Sequence, residues 1–304
     1  MKPLFILIVL FALISCTKQK ETPAVSEAIP EATSFSGKPL YAKPADSIAL
    51  KKSDSVIAKI LNQADLLEND FVEIGKQLVA SNRYQQAVIN YTEGLTKYPD
   101  SYILLRNRGH RYITLRQLDN SIADLLRAEK LMPAEGEVME YGLDGKPTAS
   151  VRHQIYYHIG VYNYLMKDYE KAAAAFEKAL ASSGDVKNVV GSSDWLYNCY
   201  QRLNQKEKAE TIIKPITPDY LEDKDQPYFR RILLYKGIIT PQELIDITMA
   251  PEKMSIQDVT KLYGLANWYR YQGNQDKANE YCKIILQSQG WPGFAYAAAE
   301  KDTN

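Results

Sequence analysis

From Asp46 onward, apolar residues recur three and four positions apart, the spacing of one buried helix face. Small residues punctuate that pattern at a fixed interval. Gly75 and Gly109, Ala87 and Ser121, and Pro99 and Pro133 each stand 34 residues apart. The pattern predicts units of two antiparallel helices. The first unit carries Phe71, Ile74, Gly75 and Leu78, then Ala87, Tyr91 and Gly94, and closes at Pro99. The second carries Leu105, Gly109 and Tyr112, then Ser121, Leu125 and Ala128, and closes at Pro133. A small residue lets two helices approach closely, and a large one fills the space beside it.

A third unit follows a longer connection, Ala134 to Arg152, and uses Tyr156, Ile159, Gly160, Tyr169, Ala172, Phe176 and Ala179. A looser fourth uses Leu196, Tyr200, Ala209 and Ile213. The stretch "QPYFRRILLYKGIITPQELIDI" predicts a degenerate pair, its second helix opened by a capping box of Thr240, Pro241 and Glu243. A last unit uses Leu262, Leu265, Tyr269, Ala278, Cys282 and Ile285, and "GWPGFAYAAAE" predicts a final helix capping the exposed end. The expectation is an all-α solenoid of about six helix pairs plus capping helices, without strands.

The period and the Gly, Ala and Pro positions resemble the tetratricopeptide repeat. The segments "SFSGKPLY", "RGHRYI", "YYHIG", "DWLY", "LLYKG" and "YGLANWYRYQGN", in this order, are similar to a bacterial family of such repeats that often carries export signals. That resemblance covers about Ser34 to the C-terminus and implies a fold without implying an activity.

The N-terminus reads "MKPLFILIVLFALISCTKQKE". Lys2 precedes an apolar run, Leu4 to Ile14, that is too short to span a bilayer as a permanent helix. It ends in Leu13-Ile14-Ser15-Cys16, which resembles a bacterial lipobox. The resemblance implies a signal peptide over 1–15 and acylation of Cys16. Thr17 stands where an inner-membrane retention signal would place Asp, so the expectation is the outer membrane, facing the periplasm. Residues 16–45 hold several prolines and no helical period, a composition suited to a tether reaching roughly 30 Å. Within it "SFSGKPLYAKP" is less polar, and docking as an arm is expected of it. The solenoid is expected over 46–304.

On each unit's first helix a second stripe, spaced i, i+3, i+7, i+10, turns away from the packing code at about 100° per residue. In tetratricopeptide proteins this stripe lines the concave groove. Here it offers Val72 and Lys76, then Arg106 and His110, then Tyr157, Val161 and Tyr164, then Asp194, Asn198 and Gln201, and last Tyr263, Asn267 and Arg270. His158 stands one position beside it. The peptide-carboxylate clamp of chaperone-binding relatives is incomplete. Arg106 and His110 stand where Lys and Asn are wanted, His158 where Asn is, and Gly191 and Trp195 where Lys and Arg are.

Composition narrows the functional classes. Lys+Arg and Asp+Glu balance at 37 each, so no cationic excess exists for a phosphate backbone, and no nucleic-acid partner is expected. Tyr is abundant, 22 against 7 Phe, which suits half-buried helix faces. The histidines His110, His153 and His158 show no H-x3-H or E-x2-H pairing on one helix, so no metal is expected. No G-x-S-x-G occurs, and no Cys stands near a histidine in sequence. No catalytic residue and no cofactor are expected. Cys199 and Cys282 read as buried small hydrophobes. The leading expectation is a lipid-anchored envelope scaffold that binds a protein or peptide in its groove. Two alternatives are a glycan- or small-ligand-binding lipoprotein, with Ala134–Arg152 as its lid, and an envelope enzyme using His110, Tyr157 and His158.

Overall fold

The computed structural model describes residues 29–303. The signal segment and Cys16 lie outside the described residues. The chain begins with a short hairpin, β1 (Ala32–Thr33) and β2 (Pro39–Leu40), antiparallel across Ala32 and Leu40. Helix α1 (Ser47–Leu61) follows, then the pairs α2 (Glu68–Ala80) with α3 (Tyr84–Lys97) and α4 (Tyr102–Thr114) with α5 (Leu118–Leu131). A second hairpin, β3 (Met139–Tyr141) and β4 (Pro147–Ser150), precedes α6 (Val151–Leu165) with α7 (Tyr169–Ala181) and α8 (Val186–Arg202) with α9 (Lys206–Ile213). Next come α10 (Pro227–Tyr235) and the single turn α11 (Pro241–Leu244), then α12 (Ile256–Tyr271) with α13 (Gln275–Ile285), and last α14 (Phe294–Thr303). Each first helix packs on its own second helix, and α3, α5 and α7 pack on the first helix of the next unit. The buried apolar residues form one large cluster and a smaller one around Phe71, Tyr91 and Leu104 at the N-terminal end.

The glycine code is physical. A Cβ on Gly75 would lie 2.2 Å from Tyr91 Cζ, one on Gly109 2.9 Å from Leu125 Cγ, and one on Gly160 2.7 Å from Phe176 Cε1. In each case the large residue of the second helix seats on the glycine of the first. The fourth such site breaks the rule. A Cβ on Gly264 would lie 2.3 Å from Cγ of Arg231, a side chain brought in by α10 from another unit.

A second regularity sits at the turn inside each pair. Asn82, Arg116, Lys167, Asn204 and Gly273 all have φ between 57° and 78°. The next residue donates its N–H back across the helix end in every unit: Arg83 to Leu78, Gln117 to Tyr112, Asp168 to Asn163, Gln205 to Tyr200, and Asn274 to Tyr269, at 2.8–3.0 Å. This is the Schellman closure. The end of α10 repeats it with Gly237 at φ 68° and Ile238 donating to Leu233 at 2.9 Å, so four of its six left-handed positions are filled by residues other than glycine.

The expectation of no strands is corrected by both hairpins. The β3–β4 turn is closed by Gly142 N–H donating to the Lys146 carbonyl and Gly145 N–H donating to that of Gly142, with Gly145 at φ 74°. Asp144-Gly145 between apolar residues is a hairpin signal. It lay in a segment read as a connection.

The N-terminal arm also departs from a free tether in its described part. Ala32 and Leu40 are buried in the main core. Gln85 donates from its backbone N–H to Glu31 Oε2 at 2.9 Å, and Trp291 Nε1 donates to the Tyr41 carbonyl at 2.7 Å. The Trp291 ring meets that of Tyr84 edge-on at 5.4 Å. The arm therefore joins the first repeat to the C-terminal segment.

Candidate functional site

The first helices α2, α4, α6, α8 and α12 turn their second stripe inward. The face they make is filled. Helix α14, expected as an end cap, turns back and packs against α4, α6, α12 and α13. Its residues Ala295 to Glu300 are buried. Arg116 bonds Glu300 at 2.8 Å and gives a second bond to the Trp291 carbonyl. Arg202 and Arg270 converge on Asp302 at 2.7 and 3.1 Å, and the Tyr263 hydroxyl donates to it at 3.0 Å.

Arg106, His158, Tyr164, Asp194, Asn198, Tyr263 and Asn267, expected on an open groove, are therefore interior residues. Lys76, His110, Tyr157, Gln201 and Arg270 are half-buried. Magnitude decides whether α14 could yield to a ligand. Orphaning a buried ion pair costs about 3–5 kcal/mol, and α14 makes two such carboxylate sites besides burying Trp291 and Tyr296 beside it. A micromolar peptide supplies about 8 kcal/mol in total. Helix α14 is part of the fold and not a displaceable occupant.

The filled sector is polar inside. Asp194 and Arg231 are fully buried and 2.9 Å apart. The Arg231 guanidinium lies 5.4–5.7 Å from the ring centroids of Tyr228, Trp195 and Tyr263. Asn198 Oδ1 accepts from Asn267 Nδ2 at 2.9 Å and from the Tyr271 hydroxyl at 2.8 Å. Gln201 donates to the Tyr197 hydroxyl at 3.1 Å, and Tyr164 and Tyr263 share a hydroxyl–hydroxyl bond at 3.1 Å. These contacts tie α8, α10 and α12 together, although Asp194 Oδ1, Arg231 Nη1 and Arg202 Nε are buried there without a hydrogen-bond partner.

At mid-face the His110 and His158 rings lie 4.1 Å apart, with Phe294 of α14 at 5.0 and 5.6 Å. Burial pushes both imidazoles well below their ordinary range. Arg111 adds to this at His110, and Arg106 does at His158. His158 Nδ1–H donates to the Gln154 carbonyl at 2.6 Å. The Tyr157 hydroxyl accepts from Trp195 Nε1 at 2.8 Å and donates to Tyr228. Burial raises its pKa first, and Tyr228 raises it further. This trio is a packed, neutral cluster. Among the described residues no carboxylate bonds either ring, so the base-and-orienter geometry of acid–base catalysis is not assembled there. Among the described residues no three His, Cys, Asp or Glu side chains converge as metal ligands either. Cys199 and Cys282 are free and buried.

One sector of the inner face stays open. A cavity of about 300 Å³ lies between α2, α4 and the β3–β4 hairpin. Lys76, Arg106, Asn107 and Arg111 line it from the helices, and Glu140, Tyr141 and Leu143 from the hairpin. Glu140 makes an ion pair with Arg106, and Lys76 Nζ donates to the Tyr141 carbonyl at 2.8 Å. Burial lowers the pKa of Arg106, and neighbouring Arg111 lowers it further. Of these residues the repeat stripe named Lys76 and Arg106. It missed Arg111, which follows His110 on α4, and Glu140, which only the hairpin turn signal could have brought to notice.

No protein-family model matches the chain. Human tetratricopeptide repeat protein 12 is 26% identical over 132 residues, covering 43% of this chain and 16% of that protein. Among solved structures, YrrB, a tetratricopeptide-repeat protein with an unusual peptide-binding site, aligns over 78% of this chain and 92% of its own at 10% identity, with a TM-score of 0.41. The tetratricopeptide domain of P58(IPK) aligns over 79% of each chain at 11% identity, with a TM-score of 0.27. The stacked helix pairs, with Tyr91, Leu125 and Phe176 seated on Gly75, Gly109 and Gly160, agree with that match, and the chain has a tetratricopeptide-like helical-repeat fold.

Proposed function

We propose that the protein is a non-catalytic scaffold, anchored to the bacterial envelope through acylated Cys16, that docks a protein partner on the β3–β4 hairpin and the cavity beneath it. The observation that carries this reading is the hairpin surface. Val138, Met139, Tyr141 and Leu143 are between 36% and 52% exposed on one short excursion from the repeat stack. Clustered exposed apolar side chains of this size mark contact surfaces, and Tyr and Met are enriched at the cores of such surfaces. The repeat fold supports protein binding by analogy, and YrrB is a peptide-binding example. No helix of the described residues is long and apolar enough to cross a membrane. In this reading the lipid supplies the attachment, and two or more acyl chains would hold stably.

The test places a photo-crosslinking amino acid at Leu143 in native membranes, with an equivalent at exposed Lys208 as control. The expected result is one dominant adduct from Leu143, identified by mass spectrometry and lost in Tyr141→Asp. Equal labelling from both positions, or an adduct indifferent to Tyr141→Asp, would overturn the docking surface. Retention of Cys16→Ser in the membrane fraction would overturn the anchor.

A further inference from the structure

The cavity under the hairpin holds more buried positive charge than negative. Arg106 is 5% exposed and Arg111 8%, and Lys76 stands beside them. Glu140 is the one carboxylate among the lining residues, and Arg106 takes it. Glu73 is engaged elsewhere, accepting from Gln77 Nε2 at 2.8 Å. Arg111 forms no ion pair among the described residues, and burial holds its pKa below the ordinary arginine range. Arg106 Nε–H is buried with no acceptor. Buried donors without acceptors are rare because each forfeits its hydration. The remaining wall is apolar, formed by Val79, Ala80 and Leu143.

We infer that this cavity binds a carboxylate carried on a short apolar stem. The carboxylate accepts from Arg111 and from the free Nε–H of Arg106, Lys76 on the same wall adds a third positive charge that attracts it, and the stem lies against Val79 and Leu143. Arginine's planar fork suits a carboxylate, and bonds between charged groups are the strong ones. The Glu140–Arg106 pair is the site's own instance of that chemistry. The inference rests on the docking reading above and gives the partner a chemical identity, an acidic side chain beside an apolar one. A free short-chain carboxylic acid offers the same group.

The experiment titrates the full-length chain with butyrate, with a blocked Leu-Glu-Leu peptide and with butylamine, at constant ionic strength, following thermal unfolding. A ligand that binds only the folded state raises the midpoint saturably. The expected result is a millimolar, saturable rise with butyrate, with the peptide or with both, and none with butylamine. Whichever probe acts identifies the source of the carboxylate. Apparent affinity should fall about tenfold in Arg111→Met and in Lys76→Met. Should Arg111→Met fail to fold, the half-exposed Lys76 variant decides. No saturable rise with either carboxylate, an equal rise with butylamine, or affinity unchanged in Lys76→Met would overturn the inference. If both carboxylates fail while Leu143 still crosslinks its partner, the carboxylate chemistry falls and the docking surface stands. If Leu143 crosslinks nothing specific while butyrate binds, the reverse holds.

Discussion

Arg116 and Glu300 lie 184 residues apart in the chain and 2.8 Å apart in space, with both side chains under 5% exposed. Arg116 ends the first helix of the second repeat in the left-handed conformation. Its guanidinium reaches the carbonyls of Thr114 and Trp291 as well as the carboxylate. One side chain thus closes a repeat turn and fastens the C-terminal helix across the inner face.

Removing one partner of that pair leaves the other charge buried. Arg116→Met should destabilise the chain by about 3–5 kcal/mol, and adding Glu300→Leu should recover most of the loss, because the orphaned carboxylate is then gone. Urea denaturation of the two single variants and the double variant measures this. Additive losses would show that the pair contributes only through packing.

Lys167 is exposed and sits at φ 62° in the third repeat's turn. A non-glycine residue there carries a steric cost of about 1–2 kcal/mol, partly offset by the extra freedom glycine has when unfolded. Lys167→Gly should stabilise by about 0.5–1 kcal/mol. The equivalent change at Gly273, Gly→Lys, should lose a similar amount. Chemical denaturation midpoints at unchanged slope are the readout.

Gly75 is the tightest point of the first repeat, against the Tyr91 ring. Gly75→Ala should cost about 1–3 kcal/mol by overpacking. Tyr91→Leu alone leaves a cavity, and in the double variant the new methyl group occupies part of it. The double variant should therefore lose less than the sum of the two single losses. A simple sum in thermal unfolding would mean that the two positions are not in contact.

Burial raises the Asp194 carboxyl from its ordinary 3.8 to about 7, against the pull of Arg231. Between about pH 4 and pH 7 the folded chain then keeps a proton that the unfolded chain has released. The contribution of this group is full at low pH and declines as pH rises through that window. Asp194→Asn has no proton to keep. Its melting temperature should therefore gain on the parent's as pH goes from about 4 to 7, the reverse of the usual carboxylate behaviour. A difference that stays constant, or that shrinks with rising pH, would contradict it.

Much of the repeat architecture was legible in residue order. Gly75, Gly109 and Gly160 each announce a partner in the following helix, and that partner is delivered by a turn of fixed geometry. The capping box at Thr240, Pro241 and Glu243 starts α11 where its residues indicated. The stripe carrying Lys76, Arg106, Asn198 and Asn267 faces inward, with His158 one position beside it. The hairpin at Met139–Ser150 was legible in Asp144-Gly145, but its placement over Arg106 was not. Nothing local to Glu140 names a partner more than thirty residues earlier.

By itself the sequence determined the helices, their pairing and the inward stripe, because these depend on contacts within one unit and on backbone periods that recur with every unit. Only the tertiary structure decided what occupies that stripe. Helix α14 returns across the first helices of several units and meets Arg116, Arg202 and His110, contacts that join residues far apart in the chain. An alanine-rich helix such as "FAYAAAE" can pack on many surfaces. The cations left waiting on the inner face, and not the helix's own pattern, settle where Glu300 and Asp302 come to rest.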